Sequence, residues 1–201
     1  MRFAGLPALL MMALMLAMSA LWASPAQARS AVTGVALTIC VAPARDGDKP
    51  AAMFASQTRF DCNRRQTSFG SGDYWVVSQP LAGVAGLEDR SRVRVGSLWQ
   101  DAVTLYALYP GGKIRGWRFD GRQASRHLQL GAMIEWPLPT DIGPPVRLMW
   151  RVEGSANLRG ILIAPTIATP HESGQANLAM AAIYAAFGGL CLALLDRKSV
   201  V

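Results

Sequence analysis

The chain has 201 residues, 51% of them hydrophobic, and 20 Lys and Arg against 13 Asp and Glu give a net charge of +7 at neutral pH. With two hydrophobic ends set aside, the remaining length excludes more than one ordinary domain and is enough to bury a core. The hydrophobic fraction therefore describes the ends and not the domain.

At the N-terminus, Arg2 is the only charge in the first 28 residues, and 6–23 is almost wholly apolar. Pro25 breaks that run, and Ala26-Gln27-Ala28 puts small residues at the two positions a signal peptidase reads. A positive start, an apolar stretch and an A-x-A site predict a signal peptide over 1–28, cleaved after Ala28. A retained anchor helix is the alternative, against which Pro25 and the A-x-A site argue.

At the other end, 176–195 is 20 residues without a charge, enough to cross a hydrocarbon core of about 30 Å. Ala181, Ala182, Ala185, Ala186, Gly188 and Gly189 suit close helix packing in lipid, so the segment reads as a transmembrane helix built for a bundle. A buried helix of a soluble domain fits less well, because the stretch is apolar on every face. The hexapeptide 196–201 reads as a non-native tail. The alternative is a genuine short tail whose Arg197 and Lys198 obey the positive-inside rule. Either way the domain, 29–172, is expected outside the cytoplasm.

Of the basic residues, 17 fall within 29–172, against 12 of the acids. In a cytosolic chain that excess would favour nucleic acid. Export excludes that partner and leaves anionic lipid headgroups, acidic glycans, a carboxylate ligand or solubility alone. Of three cysteines, Cys191 lies in the apolar helix. Cys40 and Cys62 are expected to form a disulfide in an oxidising compartment, with two buried thiols as the alternative.

Within the domain, strand signals dominate. Residues 32–41 read as a first strand, 43–52 as a polar loop, and 54–65 as an unclear stretch with a short turn of helix. Strands are expected at 74–78, at 92–95, which alternates polar and apolar, and at 103–108. Pro110-Gly111-Gly112 turns the chain into 113–119 as a hairpin. Its second strand puts Ile114 on one face and Lys113 and Arg115 on the other, with a bulge expected at Gly116. Segments 128–130, 132–136, 146–152 and 161–164 complete the set. Eight or nine short strands predict a mainly β fold, a jelly-roll-like two-sheet β-sandwich.

Catalytic constellations are missing. The chain has no G-x-S-x-G elbow and no Walker A loop, and Gly70-Ser71-Gly72-Asp73 lacks the spacing of a nucleophile turn. His127 and His171 have no partner at metal-ligand spacing. No enzyme activity, metal or cofactor is expected. Binding is better supported. Trp75, Trp99, Trp117, Trp136 and Trp150 crowd a small domain. Most tryptophans are core, because each buries so much area. Trp117 is the expected exception, flanked by Arg115 and Arg118, and Arg151 follows Trp150. An aromatic ring beside a guanidinium can hold a sugar or an acidic ligand, so these five residues are the candidate ligand site.

The segment Phe69-Gly70-Ser71-Gly72-Asp73-Tyr74-Trp75 resembles the extracellular sensor domain of bacterial seven-transmembrane receptors with diverse intracellular signalling modules. Those domains carry a Gly-containing turn running into Tyr-Trp. A segment like Trp99-Gln100-Asp101-Ala102-Val103-Thr104-Leu105-Tyr106 follows, then a Gly-rich hairpin like Pro110-Gly111-Gly112-Lys113. A late strand like Leu148-Met149-Trp150-Arg151-Val152 precedes the first membrane helix. Gly70, Gly72, Tyr74, Trp75 and Asp101 are the motif residues, and the resemblance covers about 54–195. It implies a jelly-roll related to carbohydrate-binding modules, and in the intact receptor seven helices and an output domain, often a diguanylate cyclase or histidine kinase. This chain departs from that pattern in carrying one helix and no output domain.

The expectation is thus a periplasmic ligand-sensing domain in the inner membrane, truncated before its output. Its implied partners are a small ligand, sugar or carboxylate, the inner membrane and a second copy in a homodimer, with no nucleic acid. The alternatives are a complete single-span envelope protein with a binding or structural role, and an envelope enzyme with a cleft lined by Asp73, Asp101 or His127.

Overall fold

The computed structural model describes residues 34–96, 100–156 and 160–198. The expected signal peptide and Trp99 lie outside them. The strands in chain order are β1 (Val35–Ala36), β2 (Ile39–Pro43), β3 (Gly72–Ser78), β4 (Arg92–Gly96), β5 (Ala102–Leu108), β6 (Ile114–Asp120), β7 (Leu128–Gln129), β8 (Met133–Pro137), β9 (Arg147–Ser155) and β10 (Ile163–Ala168). The helices are α1 (Pro50–Ala55), α2 (Gly121–Arg126) and α3 (Pro170–Lys198). The chain is mainly β. Sheet A has the order β1-β10-β4-β8-β7 and sheet B the order β2-β3-β9-β5-β6. Every pairing is antiparallel.

Period-two alternation explains the packing, since successive side chains leave a strand on opposite faces. In sheet B, Val41, Val76, Trp150, Leu105 and Trp117 are aligned across five strands. In sheet A, Val35, Ile167, Val93 and Trp136 form the matching row. The two rows meet in one core, where Trp136 and Trp150 are fully buried. A smaller apolar cluster covers part of the outer face of sheet B. There Met53 and Phe54 of α1 pack on Trp75, Val77 and Met149. The Cys40–Cys62 disulfide, as expected, closes the loop that carries α1. Removing the chain entropy of such a loop is worth about 3 kcal/mol. Beside it lies a small pocket of about 130 Å³ lined by Cys40, Cys62, Met53, Phe60, Val77 and Arg147, among others. That is well under the several hundred Å³ of a ligand site.

Several expectations are corrected. The single strand expected over 32–41 is two strands in different sheets. Val35, Leu37, Ile39 and Val41 all pack on the same core, so the chain wraps the sandwich edge without changing which side faces inward. Pro50 opens α1 at its first position, where its missing N–H costs nothing, so the expected loop over 43–52 ends early. Gly116 does not bulge, and the β5–β6 register is unbroken. Its bare Cα leaves room for the Tyr106 ring, which a Cβ would meet at 2.8 Å. His127 is the C-cap of α2.

The last strand runs to Ala168, past Pro165. The register shifts between Ile163 and Thr166, and Ala164 has φ +44°. A proline is tolerated at such a bulge. The Pro165 carbonyl then accepts from the Leu37 N–H at 2.8 Å. The final helix starts at Pro170, six residues earlier than the sequence suggested. It is long and apolar enough to cross a membrane over Pro170–Leu194, with a mean hydropathy of 1.8. Its first turns face the domain, with Ser173 and Ala176 buried and Asn177 and Met180 half-buried. From Ala182 to Leu194 every side chain is exposed.

Candidate functional site

Two surfaces carry the polar chemistry of the domain, the outer face of sheet B and the seam between sheet A and α3.

On sheet B the register lines the outward side chains up in rows. One row runs Ala42, Trp75, Arg151, Thr104, Arg118. The next holds Glu153, Ala102 and Asp120, with Asp73 at its end on β3. On the other side lie Val77, Met149, Tyr106 and Gly116. A guanidinium–aromatic row thus lies between an acidic row and an apolar one. The rows neutralise each other. Arg118 pairs with Glu153, and Arg151 donates to Asp73 at 2.9 Å. The Arg151 guanidinium also lies 5.3 Å from the centre of the Trp75 ring, a cation–π distance. Arg151 Nη1 is buried without a hydrogen-bond partner. The Trp75 and Tyr106 rings are 5.8 Å apart.

The Trp75 indole is also held from the disulfide loop. Its Nε1 donates to Asp48 at 3.2 Å. Asp48 accepts two further bonds from Arg59, at 2.6 and 3.0 Å, and one from the Arg45 N–H at 2.9 Å. The Arg59 guanidinium, more than any other neighbour, pulls the Asp48 carboxyl down to about 2. This one carboxylate ties the disulfide loop to the site's aromatic ring.

The second surface roots α3. Thr169 caps the helix, with Pro170 at its first position. Glu172 accepts from the Thr169 N–H at 2.8 Å and its own N–H donates to Thr169 Oγ1 at 3.1 Å, a reciprocal capping box. Arg90, ahead of β4, pairs with Glu172 and donates to the Ala85 carbonyl at 2.9 Å. Further along, Arg94 and Glu135 are cross-strand partners beneath the helix. The Arg94 side chain is only 3% exposed, with Nε 3.4 Å from Glu135, and it donates to Asn177 at 3.1 Å. Burial pulls the Arg94 pKa below its usual value, with Glu135 opposing. Glu135 also lies 3.6 Å from Arg92 and accepts from the Ser173 hydroxyl. Asn177 reaches Gln129 at 2.8 Å.

The five expected ligand residues do not share one surface. Trp150 is fully enclosed in the core and has no face to offer. Trp117 is half-buried against the same core, on the inner face of β6 with Arg115. Arg118 and Arg151 occupy one row on the outer face. Of the motif residues, Gly70 accepts from the Tyr74 hydroxyl, and Tyr74 packs edge-on against Phe69 at 5.8 Å. Gly72 opens β3 with φ +147°. Asp101 packs on Gly154, where a Cβ would come within 2.1 Å of the carboxylate. His127 stacks on Phe119 at 4.1 Å, and Phe119 on Trp136 at 5.2 Å. Asp73, Asp101 and His127 do not line one cleft: Asp73 is engaged by Arg151 and the Gly154 N–H. Among the described residues no group of three or more His, Cys, Asp or Glu could hold a metal ion.

Sequence reasoning missed Tyr106 and Glu153 as neighbours of the arginines, because their proximity exists only across strands. It also missed Asp48, Glu135 and Asn177. The T-P-x-E of Thr169 to Glu172 was legible as a helix start. Compared with family models, curated proteins and solved structures, the chain matches none.

Two outcomes follow from these networks. A carboxyl whose pKa falls from 3.8 to about 2 on folding contributes stability that is full above about pH 4 and is lost as pH falls toward 2. In urea titrations from pH 6 downward, Asp48→Asn is less stable than the parent at pH 6, and the gap closes between about pH 4 and 2. At the seam, Glu135→Ala leaves the Arg94 charge buried and costs about 3 kcal/mol, whereas Arg94→Met, which removes the buried charge, costs distinctly less in the same unfolding measurement.

Proposed function

We propose that this chain is a membrane-tethered sensor module. A jelly-roll-like sandwich on the periplasmic side of the inner membrane binds a small ligand on the outer face of sheet B, and α3 carries the domain's state into the membrane. The single observation behind this reading is the lack of slack between domain and helix. Only Thr169 separates β10 from α3, and the first turns of α3 are tied by side chains to Arg90, Arg94, Gln129 and Glu135. A domain that merely needs holding at a membrane works on a flexible tether, whereas a rigid root lets a change in the sheets reach the helix. Such transmission requires a ligand with different affinity for two states of the domain.

Other features agree with this. The chain passes between the sheets from β1 to β2, β3 to β4, β4 to β5, β6 to β7, β8 to β9 and β9 to β10, the alternation of a jelly-roll rather than of an up-and-down barrel. The disulfide suits an exported domain, as does the leader-like sequence of 1–28.

The chemistry of the site narrows the ligand. Arg118 and Arg151 are each already paired with a carboxylate, and Asp120 lies in the same acidic row, so a second carboxylate would have to displace an internal one. A neutral, hydroxyl-rich molecule avoids that cost. It can bond the exposed Arg118 guanidinium and the outer oxygens of Glu153, and rest an apolar face on Tyr106. We therefore favour a neutral saccharide over an acidic one. The test is thermal unfolding of the full chain in nanodiscs against panels of neutral saccharides, uronic acids and dicarboxylates. The expected result is a rise in Tm of a few degrees with a neutral saccharide, lost in Arg118→Gln and in Tyr106→Ala. Stabilisation by carboxylates alone overturns the ligand assignment. No response to any panel at millimolar concentration favours a structural envelope protein instead.

A further inference from the structure

One arginine on the outer face of sheet B has no counterion, and it lines the pocket beside the disulfide. Arg147, Met149 and Arg151 are successive outward positions on β9, with Arg118 two strands away. Arg118 and Arg151 each pair with a carboxylate. Arg147, about 13 Å from Arg151 along the strand, does not. Its Nε is buried without a hydrogen-bond partner, and among the described residues its guanidinium makes no hydrogen bond or ion pair.

The surroundings say what could join it. The helix α1 has six residues, under two turns, and packs on Trp75, Val77 and Met149. It leaves a gap of about 130 Å³ between itself, Phe60 and the ends of β2, β3 and β9. Met53, Phe60, Val77 and the Cys40–Cys62 bridge make most of the lining apolar, and no acid lines it. The Ser78 hydroxyl is already engaged, donating to the Gln79 carbonyl at 2.8 Å and accepting from the Leu148 N–H at 3.0 Å. The side-chain amide of Gln79, at the exposed side of the pocket, is free to donate.

A partly buried charge without a countercharge is unfavourable, and an anion relieves it. An inorganic anion would meet the charge but leave the apolar lining against water. A neutral molecule would do the reverse. An anion with a short hydrocarbon body does both. Size sets the limit. An apolar cavity of about 150 Å³ holds one benzene, about six non-hydrogen atoms, so a saccharide or a uronic acid is too large for this pocket.

We propose that the pocket is a second ligand site, for an aliphatic monocarboxylate of about four carbons. The carboxylate bonds the Nη groups of Arg147 and the amide of Gln79, and the hydrocarbon body lies against Met53, Phe60 and Val77. This site is separate from the arginine row assigned to the saccharide and does not depend on that reading.

The experiment is thermal unfolding of the full chain in nanodiscs with butyrate, with butyramide, its neutral analogue of the same shape, and with phosphate. The expected result is a rise in Tm of a few degrees with butyrate at about 20 mM and none with the other two. Arg147→Gln loses the butyrate response and keeps the saccharide response, and Arg118→Gln does the opposite. Phe60→Trp, which fills the pocket and keeps the charge, also loses the butyrate response. An equal rise with butyramide overturns the guanidinium contact. An equal rise with phosphate means an adventitious ion only and overturns the apolar half of the site. A butyrate response lost in Arg118→Gln but kept in Arg147→Gln moves the acid to the arginine row and contradicts both ligand assignments. No response to butyrate overturns the second site and leaves the saccharide reading standing.

Discussion

A buried guanidinium is an expensive object, and the arrangement of sheet A and α3 follows from satisfying one. Arg94 lies on the outer face of sheet A, where a strand at the protein surface would leave it in water. Here α3 covers it, so its charge needs partners from both sides. Glu135 supplies the countercharge from β8 and Asn177 a hydrogen bond from the helix. Glu135 is shared in turn with Arg92 and Ser173. An apolar seam would hold the helix at least as tightly but would tolerate sliding. A seam of directional bonds at Ser173 and Asn177, preceded by a capping box at Thr169, fixes rotation and register together.

The same economy shows on sheet B. Its outer face is not a cationic platform but a row of arginines balanced by a row of carboxylates, with aromatic rings alongside. The disulfide loop completes that face, since Asp48 reaches from the loop to the Trp75 indole. Strands β4 and β5, and likewise β9 and β10, are consecutive in the chain yet lie in opposite sheets. The strand that carries Arg94 thus lies between two sheet B strands in the chain, and the two sheets share one core.

Much of this was legible in the sequence because it is local. Alternation identified β4 and β5, Pro110-Gly111-Gly112 identified the hairpin into β6, and the composition of 176–195 identified an apolar helix. What was not legible depends on distant pairing. The sheet switch between β1 and β2 is hidden because the inward face never changes, and β10 was cut short because Pro165 occupies a bulge that only the partner strands reveal. The ligand residues were grouped by adjacency along the chain. Adjacent residues on a strand face opposite ways, so Trp117 and Arg118, or Trp150 and Arg151, could not have formed one surface. The partners that do meet, Arg118, Thr104 and Arg151, are separated by strand spacing and not by sequence.

The central claim is that domain and helix form one rigid unit through the Arg94–Glu135–Asn177 seam. Its most direct test is a pulsed-EPR distance measurement on the full chain in nanodiscs, with spin labels on Lys113→Cys and Phe187→Cys in a Cys191→Ala background. The account predicts a single narrow distance distribution, which broadens when Glu135→Ala is added. A broad distribution in the parent chain would mean that α3 swings freely from the sandwich, and the seam would then be no route for a signal.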